Sequence, residues 1–406
     1  MFTSQLLNIW RYTKASTVTT PKNDLRESIV EALDVVKHCD TGSGLNSSGR
    51  LQGLTVRDDG AVGFIIEIDG EPSDKALAMK AEAEAIASNV PGVSQVSVLL
   101  TAHSTTSTGT QRMRKGDNTA TRDASQRPTG RPTPKQPQQQ IAQIPGVRAM
   151  IAVASAKGGV GKSSVTINLA AACARLGLRV GILDADVYGP SIPTMLGTGD
   201  ASPTQNAQGK LETISSHGLK TMSIGYLADT DAPMIWRGPV VTSALNQMMH
   251  DVAWGELDIL FVDTPPGTGD IQLSLAQRAP LTGAIIVSTP QEVALADVRR
   301  GVAMFHKTHT PVIGLIENMA WFEDPSSGAR TYIFGEGGAK RTAEALDIPV
   351  LGELPLLPAI REGGDSGTPA ALTNGPIGDI FRVFAEKVIA SLEAPLGKPA
   401  PTIIFE

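Results

Sequence analysis

The most constraining stretch of the chain is Ser155-Ala156-Lys157-Gly158-Gly159-Val160-Gly161-Lys162-Ser163-Ser164. It follows an apolar run at 150–154 and leads into a segment with Thr166, Leu169, Ala172 and Cys173 at helical spacing. Gly158, Gly159 and Gly161 free the backbone to turn successive N–H groups toward one anion, and the start of the helix adds the positive end of its dipole. Lys162 would reach the β- and γ-phosphates of a nucleotide such as ATP, and Ser163 would offer its hydroxyl to Mg²⁺. The strict pattern G-x-x-x-x-G-K-[ST] fails only at Ala156, where its first glycine belongs. The backbone donors that make the cradle survive that change, so residues 156–164 are the candidate nucleotide-binding loop.

A strand–loop–helix junction needs a sheet around it. Apolar runs at 150–154, 180–183, 257–262, 284–288, 312–316 and 350–354 alternate with amphipathic helical segments. Near-continuous apolar strands separated by helices predict a mostly parallel, doubly wound α/β sheet covered on both faces. Ahead of it, residues 24–102 read as a small α/β domain. Leu25, Ile29, Leu33 and Val36 predict a helix over 25–36. Two β-prone runs at 51–57 and 61–68 flank Asp58-Asp59-Gly60, a hairpin signal. A helix over 72–88 and a strand over 94–100 complete it. The remaining segments are a polar leader (1–23), a linker (103–145), the ATPase domain (146–393) and a tail (394–406). The linker is rich in Ser, Thr, Gln and Pro. It carries Arg112, Arg114, Lys115, Arg122, Arg127, Arg131 and Lys135 against Asp117 and Asp123, a basic tether with too few apolar residues to order itself.

Composition removes several alternatives. A formal net charge of −6 argues against a dedicated nucleic-acid binder. No apolar run approaches the ~18–20 residues that span a bilayer. The chain has two cysteines, Cys39 and Cys173, which cannot make a disulfide framework or a four-thiolate site within one chain. The expected compartment is therefore reducing: the cytoplasm, or an organellar matrix if the leader with Trp10, Arg11 and Lys14 acts as a transit peptide. Gly364-Asp365-Ser366-Gly367 has no placed His and Asp partners for a protease triad. His306 and His309 supply two ligands where zinc wants about four.

Two acidic motifs follow strands. Asp184-Ala185-Asp186 ends the run at 180–183, and Asp263 ends the run at 257–262, where it would hold the Mg²⁺ shell directly or through water. The second lysine of the loop, Lys157, resembles that of the deviant Walker A group, which includes MinD, ParA, the nitrogenase iron protein and the Mrp/ApbC proteins. The stretch from Trp254 to Asp270, with Asp258 and Asp263 inside it and Thr-Pro-Pro-Gly-Thr-Gly before its end, resembles the Mrp/ApbC signature. So do Met234-Ile-Trp-Arg-Gly-Pro239, Glu317-Asn318-Met319 and Tyr332-Ile-Phe-Gly-Glu-Gly-Gly338, extending the resemblance over about 150–389. The resemblance implies a homodimeric ATPase with slow hydrolysis that binds a [4Fe-4S] iron–sulfur cluster and passes it to apo iron–sulfur proteins. It implies that Lys157 contacts nucleotide phosphates across the dimer, that Asp186 positions water, and that Asn318 contacts the adenine.

The family holds its cluster with a Cys-x-x-Cys between the Glu-Asn-Met and Tyr-Ile-Phe-Gly stretches. Asp324 and Ser327 stand at those two positions here. A carboxylate and a hydroxyl are poor replacements for soft thiolates. Cys173, on the apolar face of the helix after the loop, reads as a buried inert thiol, leaving Cys39 beside His38 as the other soft donor. The alternative function is a nucleotide-switched dimeric scaffold of the ParA/MinD sort that carries no cluster.

Overall fold

The computed structural model describes residues 22–37, 43–57, 59–68, 73–101, 142–227, 238–324 and 326–393. The expected leader as far as residue 21, the linker as far as residue 141, the tail, Cys39 and the 234–237 part of the Mrp-like stretch lie outside the described residues; residues 22 and 23, expected in the leader, open the first helix instead.

The N-terminal elements are α1 (Lys22–Leu33), β1 (Leu51–Val56), β2 (Ala61–Glu67), α2 (Ser73–Ser88) and β3 (Gln95–Thr101). β1 and β2 form the expected antiparallel hairpin, with a bulge between Gln52 and Thr55, and β3 joins β2 in parallel after the α2 crossover. Side chains alternate across a strand. Val62, Phe64 and Ile66 of β2 and Val98 and Leu100 of β3 accordingly pack with Leu25, Ile29 and Leu33 of α1 and with Met79 and Ala83 of α2. Ile65 and Leu99 point the other way, into the core of the larger domain. This explains why β2, Ala-Val-Gly-Phe-Ile-Ile-Glu, is apolar without alternation: both of its faces are covered.

The larger domain is the doubly wound sheet expected. Its order is β15-β12-β11-β4-β10-β5-β8-β7, with β4 (Met150–Ala154), β5 (Val180–Asp184), β7 (Ile214–Ser216), β8 (Leu219–Ser223), β10 (Ile259–Asp263), β11 (Gly283–Ser288), β12 (Val312–Asn318) and β15 (Val350–Leu354). Neighbours are parallel except for the edge pair β7–β8. Short strands β6 (Leu211–Glu212) and β9 (Val252–Ala253) pair separately, as do β13 (Phe322–Glu323) and β14 (Arg330–Thr331). Central β4 shows how the layers form. Ile151 and Val153 face Leu169 of α3 (Lys162–Arg175) and Phe381 of α10 (Pro376–Glu393). Ala152 and Ala154 face Val298 and Phe305 of α7 (Glu292–Lys307). Met150 joins Val241 and Leu245 of α5 (Gly238–His250). The remaining helices are α4 (Ile192–Met195), α6 (Asp270–Arg278), α8 (Gly338–Leu346) and α9 (Pro358–Asp365).

The functional consequence is at one edge of this sheet. β4, β5, β10 and β12 run parallel, so Ser155, Asp184, Asp263 and Asn318 emerge together at their C-terminal ends, the usual ligand edge of an open α/β sheet. No described helix is long and apolar enough to cross a membrane.

Helix α10 closes the face over α3 with Phe381 and Phe384 in an edge-to-face pair, centroids 5.8 Å apart. Phe381 is fully buried. Phe381→Ala should therefore lower unfolding free energy by about 3–5 kcal/mol, read from urea denaturation of the full chain.

Candidate nucleotide site

The loop between β4 and α3 takes the conformation its glycines permit. Gly159 and Gly161 have φ of 78° and 83°, in the left-handed region. Gly161 is doubly constrained, because a Cβ there would lie 2.2 Å from Asn318 Nδ2. Helix α3 begins at Lys162 with Gly161 at its N-cap, and no side chain caps its first N–H groups. That open end is the anion-binding geometry expected of residues 156–164. Lys157, Gly158 and Gly159 are exposed at the tip, whereas Val160 is buried. Ala156, Ser163 and Ser164 are half-buried along the rim.

Lys162 runs inward from the helix start to the strand ends. Its Nζ lies 2.7 Å from Asp263 Oδ2 and 3.8 Å from Asp186 Oδ2. Asp263 is also held by Ser163, whose Oγ donates to Oδ2 at 2.6 Å, and by Thr166, whose Oγ1 donates to Oδ1 at 2.7 Å. A carboxylate beside a hydroxyl at the mouth of an uncapped helix is an all-oxygen donor set that fits Mg²⁺ with phosphate oxygens completing its shell. Thr166 was legible in the sequence only as a helix residue; its position four residues beyond Lys162, on the same helix face, is the signal that places it on Asp263.

Asp184, directly beside Asp263 on β5, is fully buried. Burial, reinforced by the nearby Asp263 charge, pushes its carboxyl up to about 7. Its Oδ2 accepts from Ser223 Oγ at 2.9 Å and from the Ile192 backbone N–H at 3.3 Å, fastening β8 and the start of α4 to the site. Asp186 stands at the edge of the group, with its pKa raised chiefly by burial against the opposing pull of Lys162. The structure thus brings Lys162, Ser163, Asp186 and Asp263 together as the sequence implied, and adds Asp184 and Thr166.

Asn318 is buried at the end of β12, and its Nδ2 donates to the Val160 carbonyl at 2.8 Å. It braces the loop. The same amide borders a cavity of about 470 Å³ whose wall includes Ser164, Pro190, Thr194, Met319 and Leu357, an apolar slot beside the loop. Glu317, next to Asn318, accepts from the Ala339 N–H at 2.6 Å and so caps α8 instead of facing the cavity.

The positions of the expected cysteine pair are in the β13–β14 hairpin. Asp324 Oδ1 accepts from the backbone N–H groups of Ser326 and Ser327 at 2.8 and 2.9 Å and from Ser326 Oγ at 2.5 Å. Those hydrogen bonds hold its carboxyl down at about 2. Ser327 Oγ accepts from Ala329 N–H at 3.3 Å, and the Arg330 guanidinium stacks 4.5 Å from the Trp321 ring centroid. Asp324 and Ser327 therefore build a self-closed turn. Among the described residues, no group of three or more His, Cys, Asp or Glu side chains is arranged to hold a metal ion. Cys173 is buried in α3, and desolvation pushes its thiol up to about 12, as expected of an inert core cysteine.

The chain resembles known proteins over the same region. A family profile described as "ParA: NUBPL iron-transfer P-loop NTPase" matches residues 146–389. The chain belongs to that family of P-loop NTPases. An iron–sulfur cluster carrier protein of Salmonella typhimurium is 49% identical over 251 residues, covering 61% of this chain and 68% of the relative. The iron–sulfur cluster transfer protein NUBPL of Dictyostelium discoideum is 47% identical over 262 residues, 64% of this chain and 81% of the relative. A mitochondrial iron–sulfur protein required for NADH dehydrogenase, from Arabidopsis thaliana, is 48% identical over 251 residues, 61% of this chain and 80% of the relative. Among solved structures, a nucleotide-binding protein of Archaeoglobus fulgidus in complex with ADP is 40% identical, with a TM-score of 0.53 over 60% of this chain and 94% of that one.

The burial of Cys173 yields a direct check. Iodoacetamide at pH 8 should leave the Cys173 peptide unmodified in the native chain and label it only after denaturation, as read by peptide mass mapping.

Proposed function

We propose that this family member is a slow, nucleotide-switched ATPase that acts as a homodimer in delivering iron–sulfur clusters to apo iron–sulfur proteins. The observation that carries the ATPase reading is the uncapped start of α3 with Lys162 Nζ, Ser163 Oγ and Asp263 Oδ2 gathered within hydrogen-bonding distance of one another. Lys162 is neutralised by Asp263, and incoming β- and γ-phosphates offer it a replacement anion at the mouth of the helix. The N–H groups of residues 158–164 take the phosphate oxygens, while Ser163 and Asp263 would hold Mg²⁺. Bound there, Mg²⁺ would neutralise charge on the β- and γ-phosphates. In this reading Asp186, 3.8 Å from Lys162, orients the attacking water. The base enters the cavity beside Asn318.

Lys157 is exposed at the loop tip, and Tyr188, two residues past Asp186, is exposed as well. Those side chains support a face that meets a second copy, with the partner's lysine supplied to the phosphates in trans. The cluster role rests on the family and on the names of its relatives. The thiolates for it do not come from Asp324 and Ser327, nor from buried Cys173, so Cys39 or the acceptor must supply them. The same observation favours, as a second reading, a ParA/MinD-like scaffold that switches with nucleotide and holds no cluster. We place the protein in a reducing compartment, the cytoplasm or an organellar matrix. We also assign residues 24–102 and 146–393 to two domains joined by the basic linker.

Lys162→Ala should weaken ATP binding at least about tenfold, the loss of one charged hydrogen-bonding contact worth roughly 1.5–3 kcal/mol. Lys157→Ala should leave binding measurable and lower turnover on the order of 10³-fold, as loss of a charged finger does. Calorimetry and phosphate release read both; ATP affinity surviving Lys162→Ala would refute the site, and unchanged turnover in Lys157→Ala would refute the contribution in trans. Activation of an apo iron–sulfur acceptor from a supplied cluster source should require ATP and fail in Lys162→Ala, whereas equal activation by both chains would reject the carrier role.

A further inference from the structure

The small N-terminal sheet does not merely sit beside the ATPase domain. One of its faces is completed by that domain. Ile65 and Leu99 pack among Tyr226, Leu227, Val241 and Met248, and Gly63 lies so close that a Cβ on it would be 2.4 Å from the Leu227 carbonyl oxygen. The exposed edge of β3 is paired as well. Leu100 N–H donates to Gln247 Oε1 at 3.2 Å, and Gln247 Nε2 donates back to the Leu100 carbonyl, so one side-chain amide of α5 caps the strand as a neighbouring strand would. Ser97 Oγ donates to the Pro203 carbonyl at 3.1 Å.

Arg57, at the end of β1, is the contact with a consequence for the site. Its Nη1 donates to the Gly199 carbonyl at 3.0 Å, and its Nη2 to the Tyr226 carbonyl at 2.8 Å. Both targets lead back to Asp184. The segment ending at Gly199 begins at Ile192, whose N–H is bonded to Asp184, and its α4 residues Thr194 and Met195 line the cavity beside the nucleotide loop. The turn ending at Tyr226 begins at Ser223, whose Oγ donates to Asp184 and accepts from Gly225 N–H at 3.1 Å. Tyr226 Oη joins the two arms, bonded to Thr198 Oγ1 at 2.7 Å and to Thr221 Oγ1 at 2.8 Å. A guanidinium presents several donors in a rigid plane, and here that plane spans two segments that share one anchor in the site.

We propose that Arg57 couples docking of the small sheet to the occupancy of the nucleotide site, making residues 24–102 a nucleotide-read module. The proposal rests on the reading of residues 156–164 as a nucleotide loop. A ligand in the cavity bears directly on Thr194 and Met195, and any displacement of α4 is transmitted to the Gly199 carbonyl and so to Arg57. Linkage makes the effect reciprocal: if nucleotide alters docking, docking alters nucleotide affinity by the same factor. Arg57 is a positioning residue in this account, since it touches neither the cavity nor the loop.

The test uses the full chain with Mg-ATP, Mg-ADP or no nucleotide. Hydrogen exchange is followed at Leu100, whose N–H is bonded across the domain boundary, and affinity is measured by calorimetry. In the native chain, Mg-ATP should change the Leu100 exchange rate at least about fivefold, the lower end of ordinary inter-site coupling. Arg57→Ala should abolish that response and change the ratio of ATP to ADP affinity by a similar factor while ATP still binds. Gly63→Ala, which lifts the sheet and so loosens Arg57 with its side chain intact, should remove the same response and raise Leu100 exchange in every state. A native chain that binds Mg-ATP with Leu100 unchanged, or an Arg57→Ala chain that keeps the full response, overturns the coupling. A native chain that binds no ATP overturns instead the site reading on which it stands.

Discussion

Lys162 carries its ammonium into a group of three strand-end carboxylates, Asp184, Asp186 and Asp263, and the organisation of the site depends on how that charge is met. With Asp263 wholly buried and Lys162 nearly so, the pair contributes little net stability over an apolar substitute, because desolvation offsets the attraction. Removal of one partner alone would leave a buried charge without compensation. Such an arrangement serves binding better than stability in the proposed reading, in which a phosphate replaces the carboxylate at Lys162 and Asp263, still held by Ser163 and Thr166, would face a cation. Parallel β5 and β10 make Asp184 and Asp263 direct register partners, and the loop after β4 brings Lys162 to them, so sheet topology and loop together set the geometry.

The parts of this picture that could be read from the sequence are those in which local chemistry and global fold agree. Glycines at 159 and 161 are needed for left-handed backbone, and the apolar strand runs are buried on both faces, so both signals survived into the fold. What escaped was set by contacts between distant segments. β8, Leu-Lys-Thr-Met-Ser, alternates too weakly to announce a strand, yet pairing with β5 makes it one. Asp184 read as a companion of Asp186, and only the convergence of Ser223 and Ile192 on it marks it as the anchor of two segments. The resemblance implies that Asn318 contacts the adenine; in the fold its amide braces the loop through the Val160 carbonyl. β2 reads in the sequence only as one arm of a hairpin, and nothing local to it names the ATPase domain as the cover of its second face.

The hairpin between β13 and β14 is where family chemistry and this chain part. In place of a thiolate pair stand a carboxylate and a hydroxyl that accept hydrogen bonds from their own turn. A turn closed by three hydrogen bonds to Asp324 does not need a metal to hold its shape, in contrast to sites whose ligands are organised only by the ion. The nucleotide-loop residues are thus retained in this chain, while the hairpin offers a cluster no thiolate.

Anaerobic reconstitution with iron and sulfide, read by visible absorption and iron content, tests that division most directly. The chain carrying both Asp324→Ala and Ser327→Ala should bind the same amount of iron as the native chain and bind Mg-ATP equally well. A cluster present in the native chain and lost in that double variant would contradict the account, because the hairpin would then be a ligand after all.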